Sequence, residues 1–154
     1  MAHDLCSAST LVGCRIYLIA RVFFEFQGSL EQVDGPLEIT VSGRSVLFDC
    51  EGDGESLRVR ERCWNDPFEG ELSADNRQFV ESSGRWRRTE VSDWQGYRDL
   101  KGHVITEIQL LTNQHGRVAG VRFAANNRFM WFVVEGDECR VHWSAPMGFY
   151  SRRD

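Results

Sequence analysis

Apolar and polar residues follow a similar order in two stretches of this chain, and each stretch predicts a run of short β-strands. In the first stretch, residues 37–41 alternate apolar with polar side chains, as a half-buried strand does. Residues 42–44, with Gly43 at their centre, then form a predicted hairpin turn. The strands of this first β-unit, residues 10–60, are predicted at 15–26, 37–41, 46–48 and 57–60.

A second β-unit, residues 100–143, repeats that plan. Asn126 and Asn127 separate two of its strands, and asparagine tolerates the left-handed backbone of tight turns. Its strands are predicted at 104–112, 118–124, 129–134 and 139–143. Each unit is therefore predicted to be a four-stranded antiparallel meander.

Short segments of the two units align in the same order, which predicts an internal duplication. The offset between them shrinks only across loops, as hairpins of unequal length require. The matching segments are 11–19 with 100–108 at an offset of 89, 51–53 with 135–137 at 84, and 57–59 with 139–141 at 82.

The insert between the units, residues 61–99, has a different character. Pro67 lacks the amide hydrogen that a central strand needs, so a loop or sheet edge is predicted around it. Ser73 is a favourable N-cap, and one short helix is predicted at 73–81 with Phe79 and Val80 packed on a sheet. We expect the insert to cover one end of the core.

The predicted fold class is mainly β, with one short helix. The two meanders are expected to pack as a sandwich or a partly open barrel within a single domain, residues 1–154. Residues 1–9 are expected to be a loose N-terminus and residues 144–154 a C-terminal tail.

The net charge of the chain limits the classes of molecule that it is expected to bind. The formal net charge is −5, which does not suit a general nucleic-acid binder, whose affinity depends on basic residues. The imbalance is greatest in residues 1–59, which hold four arginines and nine acidic residues. This acidic first unit suits a basic partner. No apolar run reaches the roughly 20 residues of a membrane span, so no membrane association is expected.

Cysteine and histidine usage indicates neither a disulfide framework nor a metal site. The cysteines number five, and their odd count without a C-x-x-C pair favours a reducing compartment, with the cytoplasm as the expected location. The four histidines have no metal-ligand spacing, and no hydrolase signature is present. We therefore expect no metal, no other cofactor and no catalytic residues.

Residues 49–54 imitate the start of a calcium-binding loop, with Gly54 at its sixth position. Such a loop needs a bidentate Glu at the twelfth position, where this chain has Arg60. An acidic hairpin tip is the preferred interpretation.

Acidic residues mark the tips of two corresponding hairpins, and such a surface speeds association with a basic partner. Trp64 and Trp94 lie in loops, where aromatic side chains can anchor a partner, whereas Trp131 is expected in the core. The candidate partner-binding residues are Glu51, Asp53, Glu55, Trp64, Asp66, Trp94, Glu135, Asp137 and Glu138.

Three segments carry a resemblance to known proteins, namely residues 35–39, 53–59 and 64–68. In them the chain resembles a group of small, stand-alone bacterial β-rich proteins of unassigned activity, some of which are similar to immunity proteins that neutralise a toxin encoded beside them. The resemblance covers most of residues 11–143. It implies a binding role without chemistry, and no site residues follow from it.

The leading hypothesis is a cytoplasmic bacterial protein of the immunity type, a monomer or homodimer, that binds a cognate protein such as a basic toxin. One alternative is a small-molecule-binding β-barrel. Its mouth would be lined by Trp64, Trp86, Trp94 and Tyr97. Another alternative is an uncharacterised hydrolase, which would need two titratable side chains converging in a cleft.

Overall fold

A computed structural model describes residues 2–152, and it confirms the mainly β fold class. Two antiparallel sheets pack as a sandwich and do not close into a barrel. The strands are β1 (Leu18–Phe26), β2 (Ser29–Leu30), β3 (Leu37–Val41), β4 (Arg44–Cys50), β5 (Leu57–Arg60), β6 (Arg85–Glu90), β7 (Ile105–Thr112), β8 (Val118–Ala125), β9 (Arg128–Glu135), β10 (Glu138–His142) and β11 (Tyr150–Ser151). The helices are α1 (Ala2–Ser9), α2 (Ala74–Ser83) and a short 3₁₀ helix (Tyr97–Asp99).

Each sheet contains one of the predicted meanders. Strands β1, β3, β4 and β5 are neighbours in the first sheet, and β7, β8, β9 and β10 are neighbours in the second. Each meander also has an edge strand that the sequence did not predict. Strand β6, from the insert, pairs with β1, and β11, from the C-terminal tail, pairs with β7. In both sheets, a segment that follows the meander in the chain pairs with the first strand of that meander.

The register of the two sheets agrees with the offsets read from the sequence. Residues that pair in one sheet have equivalents that pair in the other, at 89 for the first strand, 84 for the second and third, and 82 for the fourth. The equivalent pairs are Ile19–Ile39 and Ile108–Phe123, Leu37–Phe48 and Val121–Phe132, and Phe48–Val59 and Phe132–Val141.

Equivalent side chains also meet in the core. Phe48 and Phe132 are fully buried, and their ring centroids lie 6.3 Å apart. Phe123 packs edge-on against Phe48 at 5.2 Å. Such edge-to-face pairs add to the stabilisation that burial of the rings provides. The sandwich interior is thus filled by side chains from both sheets.

Helix α2 forms where it was predicted, and the side chain of Ser73 caps it by accepting a hydrogen bond from Asn76 N at 3.2 Å. The expected packing of Phe79 on a sheet is wrong. That ring is 52% exposed and stacks on Phe68 at 5.9 Å, because the insert itself supplies an aromatic partner. Val80 is half-buried.

Part of the insert covers the outer face of the first sheet, and another part, with Val91 and Tyr97, is buried in the core. Glu38 points to that face, since its neighbours in β3 face inward, and it is fully buried. Its carboxylate pairs with Arg88 of β6 at 2.6 Å and accepts a hydrogen bond from Trp64 N at 2.8 Å. A buried carboxylate needs such partners. The bonds from Glu38 to Arg88 and Trp64 therefore hold the insert on the sheet.

The expectation of a loose N-terminus is wrong for residues 2–9, which form α1. Ala8 on this helix is buried in the core, and α1 packs against β5. The helix therefore becomes part of the wall of the sandwich.

Candidate functional site

The two acidic hairpin tips meet at one corner of the sandwich. Asp137 N, in the β9–β10 turn, donates a hydrogen bond of 3.0 Å to Gly54 O in the β4–β5 turn. A Cβ added at Gly54 would lie 1.8 Å from Asp137 Oδ1, so the turns are in direct contact. We call Glu51, Asp53, Glu55 and Asp137 the acidic corner. The contact brings carboxylates of both units together.

Asp53 holds the first tip in shape. Its carboxylate accepts hydrogen bonds from Ser56 Oγ at 2.6 Å, and from Glu55 N and Ser56 N at 2.8 Å each. The hydroxyl bond and the two backbone bonds lower the pKa of Asp53 from 3.8 to about 2, because they stabilise its charged form. The tip is therefore both ordered and negatively charged at neutral pH.

The β7–β8 turn partly neutralises this charge. Arg117 lies 3.4 Å from Asp53 Oδ2 and 3.0 Å from Glu55 Oε2, and His115 Nδ1 lies 3.1 Å from Glu55 Oε1. Such exposed pairs contribute little to stability, so their effect here is on the local field. With four carboxylates against one guanidinium, the acidic corner keeps a net negative charge.

Two further candidate residues of the second tip pair with nearby side chains. Glu135 contacts His142 Nε2 at 2.8 Å, and Glu138 accepts a hydrogen bond of 2.9 Å from Arg140 Nε. Arg140 offsets the charge of Glu138, and the hydrogen bond to His142 engages Glu135, so both residues add less to the corner than the sequence suggested.

The remaining candidates make their contacts in the insert and the core. Trp64 is tied through its backbone to Glu38, and Asp66 forms an ion pair of 2.6 Å with Arg85. Trp94 stacks on Phe23 with ring centroids 6.0 Å apart. All three residues therefore help to fix the structure of the insert.

A groove of about 960 Å³ adjoins the acidic corner, between α1, the β4–β5 turn and strands β7 and β8. We call it the corner groove. Its apolar lining comes from Leu5, Leu57, Ile108, Leu110 and Val118, and its charged lining from Glu51, Asp53, Arg117 and Arg152. Sequence reasoning missed the α1 wall because residues 1–9 were expected to be loose.

A smaller concavity of about 560 Å³ lies elsewhere, lined in part by Phe129, Trp131 and Trp143. The expectation that Trp131 is a core residue is wrong, since it is half-buried and packs beside Phe129 at 5.8 Å. None of the four aromatic residues expected at a barrel mouth lines this concavity. Of those four, Tyr97 is buried and Trp86 packs on Phe24 at 5.6 Å.

The thiols beside the corner are protonated at neutral pH. Burial, and secondarily Asp49, raise the pKa of Cys50 to about 11. Burial likewise raises the pKa of Cys139. Neither is a good nucleophile, because the thiolate is the reactive form. Among the side chains of residues 5–152, no three of His, Cys, Asp or Glu are grouped so that they could hold a metal ion.

Comparison of the chain with protein-family models, curated proteins and solved structures finds no match. No helix among the described residues is long and apolar enough to cross a membrane. The acidic corner and the corner groove are therefore the features that indicate a function.

Proposed function

We propose that this protein is a non-catalytic binding module of the immunity type, which binds a cognate protein, such as a basic toxin, in the cytoplasm. The docking surface is the acidic corner together with the corner groove. The observation that carries the proposal is the contact between Gly54 and Asp137, because it joins two acidic tips into one ordered patch.

The two parts of this surface would contribute differently. The net negative charge of the corner steers a basic partner into an encounter, which raises the association rate most at low salt. The groove offers apolar surface, and its burial stabilises the complex by roughly 25 cal/mol for each Å² removed from water. Preformed turns also limit the conformational entropy that is lost on binding.

A binding role fits the chemistry of the corner better than catalysis does. Asp53 is committed to the turn through three hydrogen bonds, and Glu55 pairs with Arg117 and His115. The thiol of Cys50 is held in its unreactive form. Residues 53–59, which include part of this tip, resemble small bacterial β-rich proteins, some of which are similar to immunity proteins, and that resemblance implies a role without chemistry.

The test uses a triple variant, Glu51→Gln with Glu55→Gln and Asp137→Asn, which neutralises the corner but keeps Asp53 and tolerates the positive φ at residue 137. The matched control neutralises three exposed residues of the insert, Glu69, Glu71 and Glu81. A partner captured from the native cell is identified, and its association rate with each variant is measured at low and high salt.

We expect the corner variant to associate at least about 10-fold more slowly at low salt, with the difference shrinking at high salt, while the control matches the unmodified protein. Co-expression should also protect cells from the captured partner. Two results would refute the proposal. One is an unchanged association rate for the corner variant, and the other is a captured partner that is not toxic to cells.

A further inference from the structure

The smaller concavity, of about 560 Å³, combines aromatic side chains with charged ones, and we call it the aromatic concavity. Its volume is typical of pockets that bind small molecules. Its aromatic lining comes from Phe129, Trp131 and Trp143, and its charged lining from Asp99 and Arg128. Among the described residues, none lines both this concavity and the corner groove. The two are therefore separate sites.

Trp143 has a fixed position in the concavity although its side chain is 43% exposed. It packs edge-on against the buried ring of Tyr97, with ring centroids 4.8 Å apart. It also lies directly on Gly96, where an added Cβ would be 2.5 Å from Trp143 Cε2. These two contacts hold the indole in place, so it is preformed for stacking on a ligand.

Phe129 and Trp131 form a second aromatic surface. They lie two positions apart in β9 and share the outer face of the sheet, since Met130 between them is buried in the core. Their ring centroids are 5.8 Å apart, and the guanidinium of Arg122 lies 4.8 Å from the Phe129 centroid. A cluster of aromatic rings that is fixed and open to water indicates a surface for binding.

Two oppositely charged side chains line the concavity without bonding to each other. Among the described side chains, neither the Asp99 carboxylate nor the Arg128 guanidinium has a hydrogen-bond or ion-pair partner. Their backbone is held in position, because Asn126 Nδ2 donates to Asp99 O at 3.1 Å and ties the β8–β9 turn to the 3₁₀ helix. The amides of Gln95 and Asn127 also line the concavity. The rim thus offers donors and acceptors, and its two charges cancel.

In the first unit, the arginine at the equivalent place is bonded within the chain. Arg44 is the equivalent of Arg128 at the offset of 84, and Thr10 is the equivalent of Asp99 at the offset of 89. Arg44 donates to Thr10 Oγ1 and to Thr10 O, both at 2.8 Å. It also pairs with Glu61 at 3.4 Å. The same guanidinium position is therefore satisfied internally in one unit and free in the other.

Aromatic residues replace smaller or polar ones around Arg128. The equivalent pairs are Glu61 and Trp143, Ser45 and Phe129, and Leu47 and Trp131, at the offsets of 82, 84 and 84. The second unit thus lacks the carboxylate that pairs with the arginine in the first unit. The side chains that differ between the two places are those that a ligand in the concavity would contact.

We propose that the aromatic concavity binds a neutral sugar ring. A pyranose has C–H groups on its faces, which stack on the rings of Trp131 and Trp143, and hydroxyl groups around its edge. Those hydroxyls donate to Asp99 and accept from Arg128, and each bond is strengthened by the charge of the side chain. A ligand with a net charge is repelled by one of these two residues, which favours a neutral one. The inference goes beyond the proposed function, because it concerns a separate site.

The probes are the neutral trisaccharides maltotriose, cellotriose and triacetylchitotriose, each titrated into the full chain while NMR follows the indole N–H signals of the tryptophans. We expect at least one probe to bind with a Kd of roughly 0.1–10 mM, since an open site buries only part of a sugar. The signals of Trp131 and Trp143 should shift on binding. Those of Trp64 and Trp86, which lie outside the lining, should not change.

Variants of the lining test the same site from the protein side. Trp143→Ala removes a stacking surface and should weaken binding at least about 10-fold. Asp99→Asn and Arg128→Leu should each weaken it at least about 5-fold, through loss of a charge-assisted hydrogen bond. Both of these residues are exposed, so their variants keep the fold even if Trp143→Ala does not. Trp86→Ala, at a tryptophan 41% exposed and outside the lining, is the matched control and should bind as the unmodified protein does.

Three results would overturn this inference. The first is the absence of a shift at Trp131 and Trp143 with every trisaccharide up to about 50 mM. The second is equal affinity of the unmodified protein and the variants at Asp99 and Arg128. The third is a shift with free phenylalanine but with no sugar, which would assign the concavity to a zwitterion. None of these measurements involves the acidic corner, so this inference and the proposed function fail separately.

Discussion

Arg15 and Val104 face each other across an antiparallel bridge, and they are equivalent residues of the two units, 89 positions apart. The hydrogen bonds around them occur in matched pairs. Gly13 N donates to Ile105 O and Gly102 N to Ile16 O, both at 2.8 Å; Ile16 N donates to His103 O and Ile105 N to Cys14 O, both at 2.9 Å. If each residue is replaced by its equivalent in the other unit, the first bond of each pair becomes the second. A pseudo-twofold axis therefore passes between Arg15 and Val104.

The contact between the tips predicts unequal effects for alanine substitutions at two glycines of one turn. Gly54 has φ +71° and no room for a Cβ beside Asp137, whereas Gly52 has open space around it. We expect Gly54→Ala to lower the free energy of unfolding by roughly 1–3 kcal/mol and to separate the tips. Gly52→Ala should change it by less than about 0.5 kcal/mol. Urea denaturation measures both, and equal values for the two variants would contradict the contact.

Arg21 should be among the most important polar residues for stability. Its guanidinium is buried and donates to Val33 O, Gly35 O and Cys139 O, so it links the first sheet to β10. Arg21→Leu removes this donor from Val33 O and Gly35 O and leaves Cys139 O with only the Gly35 amide, and we expect a loss of roughly 3 kcal/mol or more. Arg128→Leu, at an exposed position, should cost less than about 0.5 kcal/mol. Equal denaturation midpoints for Arg21→Leu and Arg128→Leu would show that Arg21 does not link the first sheet to β10.

Asp53 predicts a specific loss of stability in acid. Its pKa of about 2 in the folded protein lies below the ordinary value of 3.8, so folding favours the charged form. The contribution is complete above about pH 4 and disappears as the pH falls through 2. Thermal unfolding between pH 5 and pH 2 should show a shallower decline for Asp53→Asn than for the unmodified protein. Glu71→Gln controls for the loss of one charge, and identical slopes for Asp53→Asn and the unmodified protein would refute the prediction.

Cysteine alkylation should separate the thiols by environment. Cys63 is exposed, whereas burial raises the pKa of both Cys50 and Cys139. At pH 8 we expect iodoacetamide to modify Cys63 at least about 100-fold faster than Cys50 or Cys139, because only the thiolate reacts. Mass spectrometry of digested samples over time measures the three rates. Rapid modification of Cys139 would mean that β10 opens in solution, and Cys63→Ser should remove the fast reaction at that site.

The two acidic tips depend partly on local sequence and partly on tertiary packing. Alternating apolar and polar residues predicted β5 and β10, and short apolar runs between turn residues predicted β4 and β9. The positions of the acidic turns in the chain followed from the ends of these predicted strands. Nothing in the sequence showed that Gly54 and Asp137 touch, since that contact depends on how one sheet lies on the other.

Edge strands and helix α1 were missed for a related reason. Residues 150–151 and 85–90 have no strong alternation, and they become strands because β7 and β1 offer unpaired backbone groups at their edges. Residues 2–9 form a helix against β5, where Ala8 is buried. In each case a neighbouring element decided the local structure.

By itself, the sequence determined the duplication, the two meanders and their register, because periodicity and turn residues act over a few positions along the chain. Only the tertiary structure decided that the acidic tips share a corner and that a groove adjoins it. Those features depend on how distant segments such as α1, the two tips and β7 pack together.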